Sequence, residues 1–222
     1  MKKDIILAGV GGQGILSIAS CIGIAAVEKN MYLKQAEVHG MSQRGGDVQS
    51  HLRLSSNEIA SDLIAEGKAD LIISVEPMEA LRYLPMLAKD GVIITAKEPF
   101  VNIDNYPEVD EVYAELKKHN AVIIDADNIA KECGNVRAAN MVIFGAAVPF
   151  LGFEMETIEN SIREKKGKKG KYCLANALIG YKLYFQNDFD KSMIHLKKAI
   201  LQQIYYTQTI LVNGENLQTQ FI

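Results

Sequence analysis

The sequence predicts an α/β fold: a three-layer α/β/α single domain with a mixed, mostly parallel sheet and a helical C-terminal part. Short apolar runs alternate with helix-like segments, which is typical of strand–helix–strand units. The chain has 222 residues, 48% of them hydrophobic and 23% charged, enough for one domain with a sizeable core. The connection between the second and third strands is short and rich in glycine, so these two strands are expected to pair antiparallel and to make the sheet mixed.

The strand assignments rest on β-rich apolar runs and on alternation of apolar with polar residues. The six predicted strands are 4–9, 31–40, 47–55, 71–75, 92–96 and 121–125. Helical spacing of apolar residues predicts helices at 15–27, 78–87, 110–118, 127–133, 141–151, 155–165 and 172–186. We expect one domain over residues 1–186. Residues 187–222 are expected to form a C-terminal extension, an amphipathic helix followed by a polar tail.

Composition argues against several classes of protein. A formal net charge of -3 provides no basic surface for nucleic acid. The longest apolar stretch contains Pro149 and falls short of the roughly 18 to 20 residues that span a bilayer, and the N-terminus lacks a signal-peptide pattern. We therefore expect a cytoplasmic protein without a membrane segment. Cys21, Cys133 and Cys173 are too far apart to form a zinc or iron–sulfur site from this chain alone, and are expected to be buried.

A glycine-rich stretch, GVGGQG, follows the first predicted strand and precedes the first predicted helix. Its glycines fit G-x-G-x-x-G in the context that a phosphate-binding turn requires. Backbone N–H groups and the positive end of the helix would face an anion there. The candidate ligand-binding residues are Gly9, Gly11, Gly12, Gln13 and Gly14.

Two other interpretations of this stretch stay open. In one, the glycines only allow a tight, closely packed turn. In the other, the turn binds a nicotinamide dinucleotide, and an acidic residue at the end of the second strand holds the ribose. Glu37 is the one candidate for that role.

A second polar cluster follows in HGMSQRGGDVQSHLRLS. It contains His39, Ser42, Gln43, Arg44, His51 and Arg53. Arg44 beside Gly45 and Gly46 places a guanidinium on a backbone that can bend toward a phosphate or carboxylate. The alternative is a solvated hairpin tip. The two histidines are typical of structural positions, although an imidazole can also polarise a carbonyl.

Acidic residues at predicted strand ends have two interpretations. Glu76 follows one strand, and Asp125 and Asp127 stand at the end of another. Glu76 could face a ligand at the carboxyl edge of the sheet, and Asp125 and Asp127 could act as paired carboxylates. Capping of the following helix explains them as well. The basic run at 163–171 is read as a solvated loop that could contact a phosphorylated ligand or an acidic partner.

The two glycine-containing motifs together resemble a known family. GVGGQGILS, followed by EVHGMSQRGGDVQSHLRLS, is similar to the gamma-type subunits of the 2-oxoacid:ferredoxin oxidoreductases. Within that family, a short independent chain with HGMSQRGG is most similar to the beta subunit of indolepyruvate ferredoxin oxidoreductase. The resemblance covers about residues 3–185 and not the extension.

The resemblance implies that residues 1–186 are the gamma-type domain of a heteromeric oxidoreductase. Such a complex converts a 2-oxoacid, here indolepyruvate or another arylpyruvate, to acyl-coenzyme A and CO2, and passes electrons to ferredoxin. Thiamine diphosphate, Mg and 4Fe–4S clusters are expected on a larger alpha subunit, because this chain lacks the motifs for them. This chain is expected to have no turnover by itself, and no catalytic residue or metal ligand is assigned to it.

The resemblance also implies a role for the two motifs. The Gly9 to Gly14 turn and the segment Gln43, Arg44, Gly45 and Gly46 are expected to line one crevice. There they would stabilise anionic groups of coenzyme A or close the partner's thiamine site. The alternatives are a stand-alone enzyme that binds an adenine nucleotide and a non-catalytic scaffold.

Overall fold

The computed structural model describes residues 1–39, 45–101, 103–132 and 135–166. The predicted helix at 172–186 and the extension at 187–222 lie outside these ranges, as do Cys133 and Cys173.

Strands and helices alternate along the described chain. The strands are β1 (Lys2–Val10), β2 (Tyr32–His39), β3 (Asp47–Ser55), β4 (Ala69–Ser74), β5 (Leu87–Ala96) and β6 (Ala121–Ile124). The helices are α1 (Ile15–Glu28), α2 (Pro77–Arg82), α3 (Val109–Leu116), α4 (Ala126–Glu132), α5 (Ala139–Leu151) and α6 (Met155–Lys166). All six predicted strands are present, and the predicted helices that fall in the described ranges are present with one correction.

That correction concerns the predicted helix at 78–87, which is wrong in its second half. α2 ends at Arg82, a short 3₁₀ turn follows at Leu84–Met86, and Leu87 already belongs to β5. Pro85 is the physical reason. It has no N–H for the helical hydrogen bond, and it disfavours helical backbone in the residue before it.

The six strands form one mixed sheet in the order β2-β3-β1-β4-β5-β6. β1, β4, β5 and β6 pair in parallel. β3 pairs antiparallel with both β1 and β2. The predicted antiparallel pairing of the second and third strands is therefore confirmed, and so is the mixed, mostly parallel sheet.

Side chains on the two faces of the sheet enter two separate cores. Along β1, Ile5 and Leu7 pack with α1, α4, α5 and α6. Ile6 and Ala8, pointing the other way, pack with α2, α3 and Ile64. β1 reads as a continuous apolar run because helices cover both of its faces. The fold is a three-layer α/β/α domain, as predicted.

Candidate anion-binding site

The carboxyl ends of β1 and β4 lie side by side, since the two strands are parallel neighbours. α1 leaves β1 toward one face of the sheet, and α2 leaves β4 toward the other. Helices that diverge in this way open a crevice at the point where α/β proteins bind ligands. The GVGGQG turn therefore lies at a position suited to a ligand.

The turn from β1 into α1 uses backbone conformations that glycine adopts most readily. Gly12 has a φ of 100° and Gly14 a φ of 81°, in the left-handed region. Gly14 is the N-cap of α1, no side chain caps this helix, and its first turn has no acidic residue. The N-terminus of α1 thus offers its backbone dipole without a nearby carboxylate on the same turn to neutralise it.

Close packing explains two of these glycines but not a third. A Cβ on Gly9 would lie 2.4 Å from Cγ2 of Val75, and one on Gly14 would lie 2.5 Å from Nδ2 of Asn140. A Cβ on Gly12 would meet no atom within 4 Å. The packing interpretation therefore accounts for Gly9 and Gly14, while Gly12 faces open space that a ligand can enter.

Gln13 connects the two strand ends. Its Oε1 accepts a hydrogen bond from the Val10 N–H at 2.7 Å, and its Nε2 donates to the Val75 carbonyl at 3.3 Å. The side chain thus bridges β1 to the residue that follows β4. Its predicted direct contact with a ligand stays a prediction.

The second glycine segment lies directly beside the turn. The Gly11 N–H donates to the Gly46 carbonyl at 2.8 Å, just beyond the last paired residues of β1 and β3, Val10 and Asp47. The structure therefore brings the two predicted motifs together. Gln43 and Arg44 lie outside the described residues, so their predicted roles stay predictions.

α2 anchors the start of β3 beneath this segment. The Tyr83 hydroxyl donates to Oδ2 of Asp47 at 3.3 Å. Burial raises the pKa of Tyr83, and the Asp47 carboxylate raises it further, so the phenol remains a donor. On the same helix, Arg82 pairs with the buried Glu79 at 2.8 Å. The contact of Tyr83, the C-cap residue of α2, with Asp47 therefore ties the end of α2 to the start of β3.

Two members of the second cluster, His51 and Arg53, lie away from this turn, and neither was among the predicted ligand-binding residues. β3 runs away from the turn and carries His51 and Arg53 toward the opposite edge of the sheet. His51 is buried, and its Nδ1 accepts from the Ile64 N–H at 3.0 Å. Burial lowers its pKa, as expected for a neutral structural histidine. Arg53 binds Asp4, with Nε 2.7 Å from Oδ1.

The acidic residues at the strand ends serve as caps. Glu76 is buried and is the N-cap of α2, accepting from the Glu79 N–H at 2.7 Å. Asp125 accepts from the Asn128 N–H at 3.3 Å at the start of α4. For Glu76 and Asp125, capping is therefore what the structure shows, whereas Asp127 lies within the first turn of α4.

A carboxyl pair joins the ends of β5 and β6. Glu98 hydrogen-bonds Asp125, and burial together with this bond raises the pKa of Glu98 to about 7. Burial acts to raise the pKa of Asp125 as well, but hydrogen bonds from Asn128 and Glu98 hold it below its usual value. Glu98 is thus the proton donor of the pair.

The position of Glu37 argues against a nicotinamide site. In nicotinamide sites, the acidic residue that binds the ribose lies at the end of the strand next to β1. Glu37 lies on β2 opposite Ser50 of β3, and β3 separates β2 from β1. The turn therefore lacks this part of a dinucleotide site.

Sequence reasoning missed Asn140. Its Nδ2 donates to the Gly14 carbonyl at 3.0 Å, across 126 residues of sequence. Asn140 is a buried polar residue in the otherwise apolar helix ANMVIFGAAVPFL. A buried amide usually has a hydrogen-bond partner, and this pattern is the sequence signal that could have found it.

The described residues do not fit a metal centre. In ranges 1–39, 45–101, 103–132 and 135–166, no three His, Cys, Asp or Glu side chains are grouped to hold a metal ion. Cys21 is fully buried, as predicted. Among the helices of the described chain, none combines the length and apolarity needed to cross a bilayer.

A glycine turn without a side-chain cap, placed where helices diverge and hydrogen-bonded to a second glycine segment, is typical of three-layer α/β domains that bind ligands. The chain belongs to the pyruvate ferredoxin/flavodoxin oxidoreductase family, whose model matches residues 4–179. The resemblance read from the two motifs is therefore confirmed.

Comparisons with individual proteins agree with this assignment. The chain is 36% identical over 179 residues to indolepyruvate oxidoreductase subunit IorB of Archaeoglobus fulgidus, covering 76% of this chain and 88% of that protein. Its fold is similar to pyruvate oxidoreductase subunit PORC of Thermotoga maritima, with a TM-score of 0.59, 19% identity and coverage of 80% and 95%. It is also similar to part of the 2-oxoglutarate:ferredoxin oxidoreductase of Magnetococcus marinus, solved with 2-oxoglutarate, coenzyme A and succinyl-CoA bound. That match has a TM-score of 0.60 and 22% identity, and covers 89% of this chain but 31% of the longer one.

Proposed function

We propose that this chain is the smaller subunit of a cytoplasmic 2-oxoacid:ferredoxin oxidoreductase. The complex would oxidatively decarboxylate indolepyruvate or another arylpyruvate, transfer the acyl group to coenzyme A and release CO2. Family membership supports the reaction class. The indolepyruvate oxidoreductase subunit among its relatives supports the aryl substrate.

Family membership supports a division of roles between two subunits. Iron–sulfur clusters, Mg and thiamine diphosphate are assigned to a larger alpha subunit. That subunit would react with the 2-oxoacid and send electrons toward ferredoxin. This chain would contribute a binding surface for anionic groups and have no turnover by itself.

The observation that carries the proposal is the hydrogen bond from the Gly11 N–H to the Gly46 carbonyl. It joins the helix-bearing turn to the segment that begins with Gln43 and Arg44. A helix N-terminus beside a guanidinium is a suitable pair of groups for a phosphate. Coenzyme A carries both a pyrophosphate and a 3′-phosphate. The N-terminus of α1 and the guanidinium of Arg44 could therefore each bind a phosphate of the same ligand.

The structure favours Gly12 as the point of approach. Its φ of 100° is a conformation that glycine adopts most readily, and no atom lies within 4 Å of the position that a Cβ would take. The neighbouring helix α2 offers no comparable site, because the carboxylate of Glu76 already caps its N-terminus. The anionic ligand would therefore bind over α1 and not over α2.

The test compares coenzyme A affinity in the assembled complex. Gly12→Val fills the open space and strains the turn, while Arg44→Ala removes the guanidinium. We expect each change to weaken coenzyme A binding by about 10- to 100-fold, the usual value of a charge-assisted contact. Gly67→Val is the matched control, since Gly67 also has positive φ, 67°, and open space but lies in another loop.

Two outcomes would contradict the proposal. One is unchanged coenzyme A affinity and turnover in both variants, which would leave a scaffold role. The other is tight binding of NAD or ATP to the isolated chain in calorimetry, which would indicate a stand-alone nucleotide enzyme.

A further inference from the structure

The loop between β5 and α3 holds three large apolar side chains in solvent. Phe100 is 45% exposed, Val101 67% and Ile103 39%. We call these three residues the apolar tip. Single exposed apolar residues are common on any protein, but a cluster within four residues is typical of an interaction surface.

The apolar tip is held in place by a buried carboxylate. The Phe100 N–H donates to Oε1 of Glu76 at 3.3 Å, and the Tyr106 hydroxyl donates to the same oxygen. Burial raises the pKa of Tyr106, and the bond to Glu76 raises it further, so this donor is retained. Because Glu76 also caps α2, the loop is tied to the framework and is preorganised for binding.

The apolar tip continues directly from the anion-binding turn. Gln13 of the turn donates to the Val75 carbonyl, and Val75 precedes Glu76, which binds Phe100. Leu16, in the first turn of α1, is also exposed. Apolar side chains beside a polar site exclude water when a partner covers them.

The sequence that follows the apolar tip is acidic. Residues 99–112 contain no Lys, Arg or His, and their carboxylates are Asp104, Glu108, Asp110 and Glu111. Lys97, just before them, pairs with Asp125. A complementary surface would have an apolar centre and a rim of Lys or Arg.

We propose that the apolar tip is the docking surface for the larger, thiamine- and iron–sulfur-containing subunit, which presents an apolar patch with a basic rim. This inference rests on the proposed function, and it places the partner's reaction centre over the Gly9 to Gly14 turn. The chain's own residues 167–222 are a less suitable occupant. They continue from α6, which packs in the core on the α1 face of the sheet, whereas the loop leads into α3 on the other face.

The test uses the full chain co-expressed with the thiamine- and iron–sulfur-containing subunit of the same organism. The triple variant Phe100→Ser, Val101→Ser, Ile103→Ser removes the apolar tip without changing charge. Its matched control is Val27→Ser, Tyr32→Ser, Met155→Ser, whose side chains are 66%, 53% and 41% exposed away from the turn. We expect the tip variant to bind the larger subunit roughly 30-fold more weakly or worse, and the control to bind as the wild type does.

Further readouts separate docking from folding and from the proposed function. The tip variant should keep the wild-type melting temperature, and wild-type association should weaken as salt rises.

Equal affinity of tip variant and wild type, or equal losses in tip variant and control, would overturn the docking surface while leaving the proposed function intact. Failure of the wild-type chain to bind the larger subunit at all would overturn both. Hydrogen exchange at residues 99–104 that rises when 187–222 are removed from the isolated chain would identify the extension as the occupant and overturn the inference.

Discussion

Glu98 makes the stability of the contact between the ends of β5 and β6 depend on pH. Its folded-state pKa of about 7 lies above the usual 4.5, so the folded protein holds a proton that the unfolded chain releases. The stability that this proton provides is complete below pH 4.5 and is lost as pH rises through 7. The pair with Asp125 is therefore stronger in mild acid than in alkali.

Glu98→Gln should remove most of this dependence. The amide can still donate to Asp125 but has no titrating proton. We expect the melting temperature of the variant to match the wild type near pH 5 and to exceed it near pH 8. Thermal melts across this range make the comparison, with Glu111→Gln, an exposed carboxylate on α3, as the control. A variant that follows the wild-type curve at every pH would show that Glu98 is not the group involved.

At the scale of elements, an ion pair between adjacent strands holds β1 to β3. Asp4 and Arg53 are direct partners in the register, and the guanidinium contacts both carboxylate oxygens, at 2.7 and 3.2 Å. Lys2 adds a contact at 2.9 Å, but its side chain is 63% exposed while that of Asp4 is 1% exposed. Arg53 is therefore the main partner of a buried charge.

Arg53→Met should leave that charge largely uncompensated and lower the free energy of unfolding by about 3 kcal/mol at neutral pH. Lys2→Met, on the same carboxylate, should cost less than about 1 kcal/mol because an exposed lysine contributes little. Burial acts to raise the pKa of Asp4, yet Arg53 and Lys2 hold it below its usual value. The stabilisation is thus present above about pH 4 and fades as pH falls. Urea unfolding at pH 7 and pH 3.5 tests this, and equal losses in the two variants would contradict it.

Local patterns in the sequence predicted most of the elements, whereas the proximity of the two glycine motifs was implied by the family resemblance. They predicted the antiparallel β2 and β3, because a short connection permits little else. They could not predict contacts across long separations, such as Asn140 with Gly14 or Asp4 with Arg53, which depend on strand order and register. Closeness in sequence did not place Arg53 at the glycine turn either, because each residue along β3 adds about 3.3 Å and Arg53 pairs with Asp4 at the start of β1.

At the scale of the whole molecule, we expect residues 1–186 to fold without the extension. Described helices already cover both faces of the sheet, and the family match ends at residue 179. Removal of 187–222 should therefore change the melting temperature by no more than about 2 °C. Removal of 167–222 cuts into the matched region and should lower it clearly. Circular dichroism melts compare the two, and a large loss on the shorter deletion would show that the extension belongs to the domain.

β1 precedes both of its neighbours in the sheet along the chain, and those neighbours, β3 and β4, are completed only at residues 55 and 74. Before β3 and β4 form, neither edge of β1 has its native partner strand, and the glycine turn lacks the neighbouring strand ends that support it. The Gly9 to Gly14 turn is therefore a product of the assembled central sheet and not of a local segment. A ligand that binds there should raise the stability of the entire domain as its concentration increases, by RT ln(1 + [L]/Kd). The proposed binding of coenzyme A can therefore be tested by global unfolding alone.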